Sequence, residues 1–293
     1  MKKLIAMSLV VVMTAVSLCG CGGSSTGNDT ASGSAVSKQA VKVIDVNLTE
    51  EEYAFGIDKK QPELLTAANE FIKEIKENGE FDKICNKYFG EGEPTAVKSA
   101  TLDTSKDQLV VATNAAFEPF EYMKGDSYYG IDMEIAAAFA KKLGKELVIQ
   151  NMDFDAVCLS VGQQKADIAM AGLTIKEDRK EHVDFSDAYY SASQRLVVKG
   201  DNTEFDACKD AAAIETILKG KSGIKIGVQN GTTGQFYSKG DKDWGFEGFA
   251  NATTTGYKNG SLAVQDLLNG NIDYVIIDSA PAQFITDAIN KLQ

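Results

Sequence analysis

Four apolar, strand-like runs in this 293-residue chain each end in residues able to grip a small charged molecule. After "VVAT" come Asn114, Phe117 and Phe120, and after "AMAG" come Thr174 and Arg179. After "IGVQ" comes Gly231-Thr232-Thr233-Gly234, and after "YVII" comes Asp278. In open α/β sheets, ligands bind beyond the carboxyl ends of strands, which is where these groups fall. Each also has a plain structural use. Asn114 suits a turn and the phenylalanines a core, while Thr232, Thr233 and Asp278 could cap the helices that follow them. Together they offer a cation, an anion, neutral donors and apolar walls, the set that a zwitterion needs.

Other chemistries find little support. There is no Walker loop and no dinucleotide GxGxxG; "GTTGQ" could present backbone N–H groups to an anion, but alone it is a weak signal. His182 is the only histidine, which excludes a His-rich metal site. It lies in a charged helix start, a poor place for the base of a Ser-His-Asp triad. Cys85, Cys158 and Cys208 fit no CxxC-type metal pattern and read as small buried hydrophobes, with at most one disulfide among them. No cofactor and no metal are expected. The formal charge of −12, from 42 acidic and 30 basic groups, lacks the basic footprint of a nucleic-acid binder.

The elements that must position these groups form a series. Lys2 and Lys3 precede an apolar run, Leu4 to Leu18, that is too short to span a membrane and reads as a secretory signal. A Gly/Ser/Thr/Asn-rich stretch, Gly22 to Gln39, follows and reads as a flexible tether. "VKVIDV" and "YAFGI" read as strands. Leu64, Leu65, Ala68, Phe71, Ile72 and Ile75 make a helical stripe closed by Asn78-Gly79, and Phe81 to Phe89 a second helix. Glu91 to Lys106 reads as a connector. Beyond it "QLVVAT", "ELVIQ", "DIAMAG", "YYSASQRLVVK", "GIKIGVQ" and "YVIID" read as strands. Helices are expected at "IDMEIAAAFAKKLG", Ala156 to Gln164, "SLAVQDLLNG" and "APAQFITDAINKL". The alternation predicts an α/β protein with largely parallel sheets.

With these runs in hand, "VVATNAAFEPFEY", "GIDMEIAAAFAKKLG", "ADIAMAGLTIKEDRKEHVDFSDAYY", "GVQNGTTGQFY" and "YVIIDSAPA" resemble the amino-acid-binding solute receptors of bacterial ABC importers. This is the type II periplasmic-binding-protein family, solute-binding family 3. The resemblance covers nearly all of the chain after the tether, but its order is shifted. The family's closing piece, like "EEYAFGIDKKQPELL" and "NEFIKEIKENGEFDKICNKYFG", stands at Val41 to Gly90, so the chain looks circularly permuted. The resulting expectation is a two-lobed fold, each lobe a largely parallel sheet flanked by helices, joined by a hinge of two crossings near Glu52 and Ser191. Lobe 1 takes 53–90 and 107–190, lobe 2 takes 41–52 and 194–293, and 91–106 bridges the family's usual termini. Residues 1–20 would be a lipoprotein signal peptide and 21–40 the tether, with Cys21 lipidated.

The resemblance implies roles as well. Arg179 would pair with the ligand α-carboxylate, since a guanidinium fork suits a carboxylate as lysine does not. Of six consecutive charges, Lys176 to Glu181, Arg179 is thus the one expected to point inward. Thr174 and the backbone near Gly172 would add contacts, as would Thr232 and Thr233, while Asp278 would accept the α-ammonium. Phe117 and Phe154 would wall the ligand side chain, with Asn114 nearby. Asn114 stands where some members carry Asp, and Ala171 and Gly172 where some carry serines, which favours a polar or uncharged amino acid. The implied partners are a free amino acid and a membrane permease, with a lipid anchor on the outer face of the cytoplasmic membrane and a monomeric receptor. No nucleic acid is expected, and no catalysis. The rival readings are a dehydratase of cyclohexadienyl amino acids, with Glu118 or Glu121 as general acid unless both are simply surface residues, and a ligand sensor for a membrane signalling partner.

Overall fold

The computed structural model describes residues 39–292. The signal segment, Cys21 and the tether up to residue 38 lie outside the described residues. In chain order the first strands are β1 (Val41–Val43), β2 (Glu51–Tyr53) and β3 (Gly56–Asp58), followed by helices α1 (Pro62–Glu77) and α2 (Glu80–Phe89). Next come β4 (Gln108–Thr113), β5 (Ala116–Phe117), β6 (Glu121–Lys124), β7 (Ser127–Tyr129), α3 (Ile131–Leu143) and β8 (Glu146–Asn151). They are followed by α4 (Val157–Gly162), β9 (Ile168–Ala169), α5 (Glu177–Lys180), β10 (Val183–Phe185), β11 (Tyr190–Ala192) and β12 (Gln194–Lys199). The chain closes with α6 (Ala211–Lys219), β13 (Ile224–Gln229), α7 (Thr233–Lys239), β14 (Ala252–Tyr257), α8 (Gly260–Asn269), β15 (Tyr274–Asp278) and α9 (Ser279–Asn290).

Two five-stranded sheets result, in the orders β10-β3-β9-β4-β8 and β1-β12-β15-β13-β14. Each is covered on both faces. In the first lobe, Phe71 and Ile75 of α1 and Ile135 and Phe139 of α3 are buried on one side, and Val157 and Val161 of α4 on the other. In the second, Ile214 and Leu218 of α6 pack with one cluster, and Ala263, Val264 and Leu267 of α8 with another. Sequence logic is visible locally. Pro62 occupies the first turn of α1, where its missing N–H costs nothing, and Gly144 closes α3 at φ +71°.

The α/β class stands, but the sheets are mixed rather than largely parallel. Each has two parallel pairings, β4 with β8 and β9 in one, β13 with β14 and β15 in the other. Antiparallel pairings come from the strands that enter from the crossings: β3 with β9 and β10, and β12 with β15 and β1. The run "YYSASQRLVVK" is two strands, because β11 leaves the sheet to pair with β2, Ala192 opposite Glu51 and Tyr190 opposite Tyr53. The helix expected from Ala156 to Gln164 is shortened to α4 by a 3₁₀ turn over Phe154–Ala156. Around Pro119 the chain forms a small three-stranded sheet, β5-β6-β7. Helix α6 and the Thr-rich edge strand β14 are not among the elements expected from sequence, although Ile214 and Leu218 stand four apart on the buried face of α6.

The connector between α2 and β4 lies along the first lobe. Val97 forms a bridge with Tyr128, and the Ala100 N–H donates to the Leu147 carbonyl at 2.8 Å. At the other end, the Asn290 side chain accepts from the N–H groups of Ala40 and Val41 and donates to the Val41 carbonyl, tying the close of α9 to the start of β1.

Candidate functional site

Arg179 sits in the four-residue α5, and its side chain turns inward. One guanidinium nitrogen donates to the Thr174 carbonyl at 2.7 Å, and another crosses to the second lobe to reach the Gly231 carbonyl at 2.9 Å. The guanidinium carbon lies 5.2 Å from the Phe154 ring centroid. Lys180, next in sequence, is exposed and paired only with Glu177. Lys176 is the second inward charge of the run. Its side chain is 3% exposed, its Nζ lies 3.0 Å from Asp241 and 3.2 Å from Asp178, and it stands 3.2 Å above the Phe236 ring centroid. Asp241 and Phe236 belong to the second lobe, so Lys176 joins the lobes beside the Arg179 contact. Desolvated cation–π contacts contribute about 2 kcal/mol. Lys176→Met is therefore expected to loosen the interlobe contact and to weaken any ligand held between the lobes by about thirtyfold. Calorimetry should give the same factor for every ligand; unchanged dissociation constants would remove Lys176 from closure.

The threonines and Asp278 stand at helix starts but do not cap them. Thr232 precedes α7, yet its hydroxyl donates back to the Gln229 carbonyl at 2.9 Å. The Thr233 hydroxyl donates to Thr174 Oγ1 across the lobes at 3.3 Å. Asp278 precedes α9, and its carboxylate accepts from the Tyr53 hydroxyl at 2.5 Å. Tyr53 is bridged to Thr174 through the backbone, which brings Asp278 to the same seam. Asn114 donates to the Met152 carbonyl at 2.7 Å and accepts from Gln229 at 3.1 Å, again between the lobes. Gly172 has φ +53°, and a Cβ there would lie 2.9 Å from the Phe117 ring, so the backbone can lie against that aromatic wall only as glycine. The Gly172 N–H is taken by buried Asp132 at 2.9 Å. Asn114, Phe117, Phe154, Gly172, Thr174 and Arg179 thus come from the first lobe, and Thr232, Thr233 and Asp278 from the second.

Several groups escaped sequence reasoning. Glu51 is buried and accepts from Thr49, Gln194 and Thr174. Glu121, grouped with Glu118 as a surface residue on sequence grounds, is 0% exposed, and neither carboxyl oxygen has a hydrogen-bond partner. The reason is register: Glu121 stands opposite Phe117 in the β5–β6 pair and shares its inward face. Glu118 is exposed. Burial, and then the charges of Asp132 and Asp278, push the Glu121 carboxyl well above the ordinary carboxylate range. Asp278 is pushed up to about 7 by burial and then by the Glu51 charge, and Asp132 to about 7 by burial. A cleft of about 970 Å³ is lined among others by Glu51, Thr174, Lys176, Ser193, Trp244 and Ser279; of the sequence-predicted ligand residues only Thr174 lines it. Chemically, the seam offers one guanidinium, hydroxyl donors and several buried acids that a cation would ionise.

Comparison with known proteins identifies the family of the chain. The profile of the bacterial extracellular solute-binding proteins, family 3, matches residues 8–91 and 109–280. The arginine-binding extracellular protein ArtP of Bacillus subtilis is 34% identical over 192 residues, 65% of this chain and 69% of ArtP. The chain spans between 58% and 69% of the lengths of this relative and two further binding proteins it matches. Among solved structures, an ancestral arginine-binding protein bound to arginine has a TM-score of 0.53 at 36% identity, covering 62% of this chain and 75% of its own. An ancestral amino acid-binding protein described as a precursor of cyclohexadienyl dehydratase has a TM-score of 0.54 at 32% identity, covering 62% and 74%.

Proposed function

Because this chain belongs to the bacterial extracellular solute-binding proteins of family 3, we propose that its two lobes close around a free amino acid and hand it to an ABC importer. The observation that carries this reading is that the inward Arg179 guanidinium and the buried Asp278 carboxylate come from different lobes and each bonds across to the other lobe, Arg179 to Gly231 and Asp278 to Tyr53. Arg179 takes the α-carboxylate, exchanging its Gly231 contact for the ligand, with Thr174, Thr232 and Thr233 adding donors. Asp278 takes the α-ammonium, releasing the Tyr53 hydroxyl. Only the closed arrangement satisfies both ends, so the ligand shifts a hinge equilibrium.

Glu121 reverses the leaning towards an uncharged ligand that Asn114 suggested. A fully buried carboxyl without a partner, beside Asp132 and Asp278, favours a ligand whose side chain is itself cationic. The arginine-binding relatives support the same choice. Phe117, Phe120 and Phe154 provide apolar and π surface for the stem of such a side chain. A thermal-shift screen of the twenty amino acids with ornithine and citrulline tests this. Arginine or lysine should raise the midpoint most, by mass action on the folded state; no shift with any amino acid would sink the receptor reading.

A buried carboxyl raised above its ordinary range, as at Glu121, also suits a general acid, which keeps the dehydratase reading in view beside its ancestral neighbour. Turnover of a cyclohexadienyl acid by the purified protein would replace the receptor reading. The permuted order is supported by the pairing of β1 with β12, by the Asn290 tie between α9 and β1, and by a family match that breaks at the connector. Among the described residues no helix is long and apolar enough to cross a membrane. We assign lipidation to Cys21; a mass increase on the mature N-terminal peptide tests it.

A further inference from the structure

One buried carboxylate, Glu51, bonds to both lobes. Glu51 lies on β2, one of the two strands that cross between the lobes, and β2 pairs with β11 to form the crossing ribbon. Oε2 accepts from the Thr174 hydroxyl at 2.7 Å, on the first-lobe loop that also carries the Arg179 contact. Oε1 accepts from Thr49 at 2.6 Å and from the Gln194 amide at 3.0 Å, both on the second lobe. Gln194 stands opposite Asp278 in the β12–β15 pair, and its own carbonyl oxygen is buried without a partner. The two ends of one carboxylate therefore hold a ligand-facing hydroxyl of the first lobe and the strand neighbour of Asp278 in the second.

We propose that Glu51 is a positioning residue for solute binding, a hinge carboxylate that sets Thr174 and Gln194 in the closed arrangement and places a fixed negative charge behind Asp278. The inference rests on the receptor reading above. The groups that face Asp278 are Glu51 and Tyr53 from β2, Gln194 from β12 and Glu121 from β6. Among these, Glu51 is the charge named after burial as raising the Asp278 carboxyl to about 7. Asp278 must be ionised to accept an ammonium, so affinity falls as pH drops through that value. Without the Glu51 charge, Asp278 ionises more easily, and the fall in affinity moves to lower pH.

The test is calorimetry with arginine between pH 5 and 8 on the full chain. Glu51→Gln should weaken binding about tenfold at pH 8, through loss of the charge-assisted bonds, and should move the acid limb of the affinity profile downward by a readable fraction of a pH unit. Glu51→Asp keeps the charge but cannot reach both lobes; it should weaken binding with the acid limb unmoved. A purely structural role would lower the melting midpoint and leave the limb in place for both variants, and that result would overturn the assignment. Wild-type affinity in either variant would overturn it too, so Glu51→Asp decides the matter if Glu51→Gln does not fold. A wild-type protein that gives no binding heat with any amino acid marks failure of the receptor reading itself, and the assignment falls with it.

Discussion

Arg179→Ala reduces amino-acid affinity by a factor of about 10² to 10⁴, while Lys180→Ala leaves it within about twofold. The magnitude follows from the two donors that the guanidinium presents, each charged hydrogen bond contributing roughly 1.5–3 kcal/mol net. Those donors reach two carbonyls, Thr174 in one lobe and Gly231 in the other. A ligand carboxylate is a stronger acceptor than the Gly231 carbonyl, so the exchange favours binding and is lost with the side chain. Arg179→Lys should not rescue, because an ammonium is a point donor without the planar fork. Lys180 shares the charge and the neighbourhood but faces solvent, which makes it the internal control. Asp278→Ala should cost a comparable factor by removing the ammonium acceptor. Isothermal titration reads all four variants; equal losses at Arg179 and Lys180 would mean that the inward charge has been misassigned.

The parts of this site that were legible in sequence are those whose direction is set locally. Arg179, Thr174, Thr232, Thr233 and Asp278 each follow a buried strand, and the end of a strand in an α/β sheet faces the ligand side whatever else the fold does. Glu51, Glu121 and Lys176 were opaque because their direction is set by pairing. Within "TEEEY", only the alternation in β2 puts Glu51 and Tyr53 on the buried face and Glu52 outside. A period of two over three residues is too short to read without its partner strand. Lys176 lies in the same charged run as Lys180, and only its cross-lobe contacts with Phe236 and Asp241 distinguish the two. The same limit explains the sheets. Alternating strands and helices predict parallel pairing, but β3 and β12 enter from the crossings, and their antiparallel sense depends on where the chain passes between lobes.

Glu121→Gln abolishes the preference for a cationic ligand, with arginine affinity falling about a hundredfold or more and glutamine affinity held or improved. A buried charge that loses its partner is strongly disfavoured, and here the partner is the ligand's own side chain. The proton balance makes the test independent of affinity alone. Burial, with the charges of Asp132 and Asp278, raises the Glu121 carboxyl well above the ordinary carboxylate range and so favours its protonated form. An arriving guanidinium favours the carboxylate, and binding should therefore release protons near pH 7. Titrations in buffers of different ionisation enthalpy count them, and the count should drop in Glu121→Gln. Stability carries the same sign. A carboxyl whose folded pKa lies above its unfolded value gives stability that is fully present below the unfolded value and lost as pH rises through the folded one. The melting midpoint of the ligand-free protein should thus fall between pH 5 and pH 8, less steeply in Glu121→Gln, and arginine should recover most of the loss at pH 8. Equal proton release in both proteins, with selectivity for arginine intact, would place the cation elsewhere and leave Glu121 without a part in recognition.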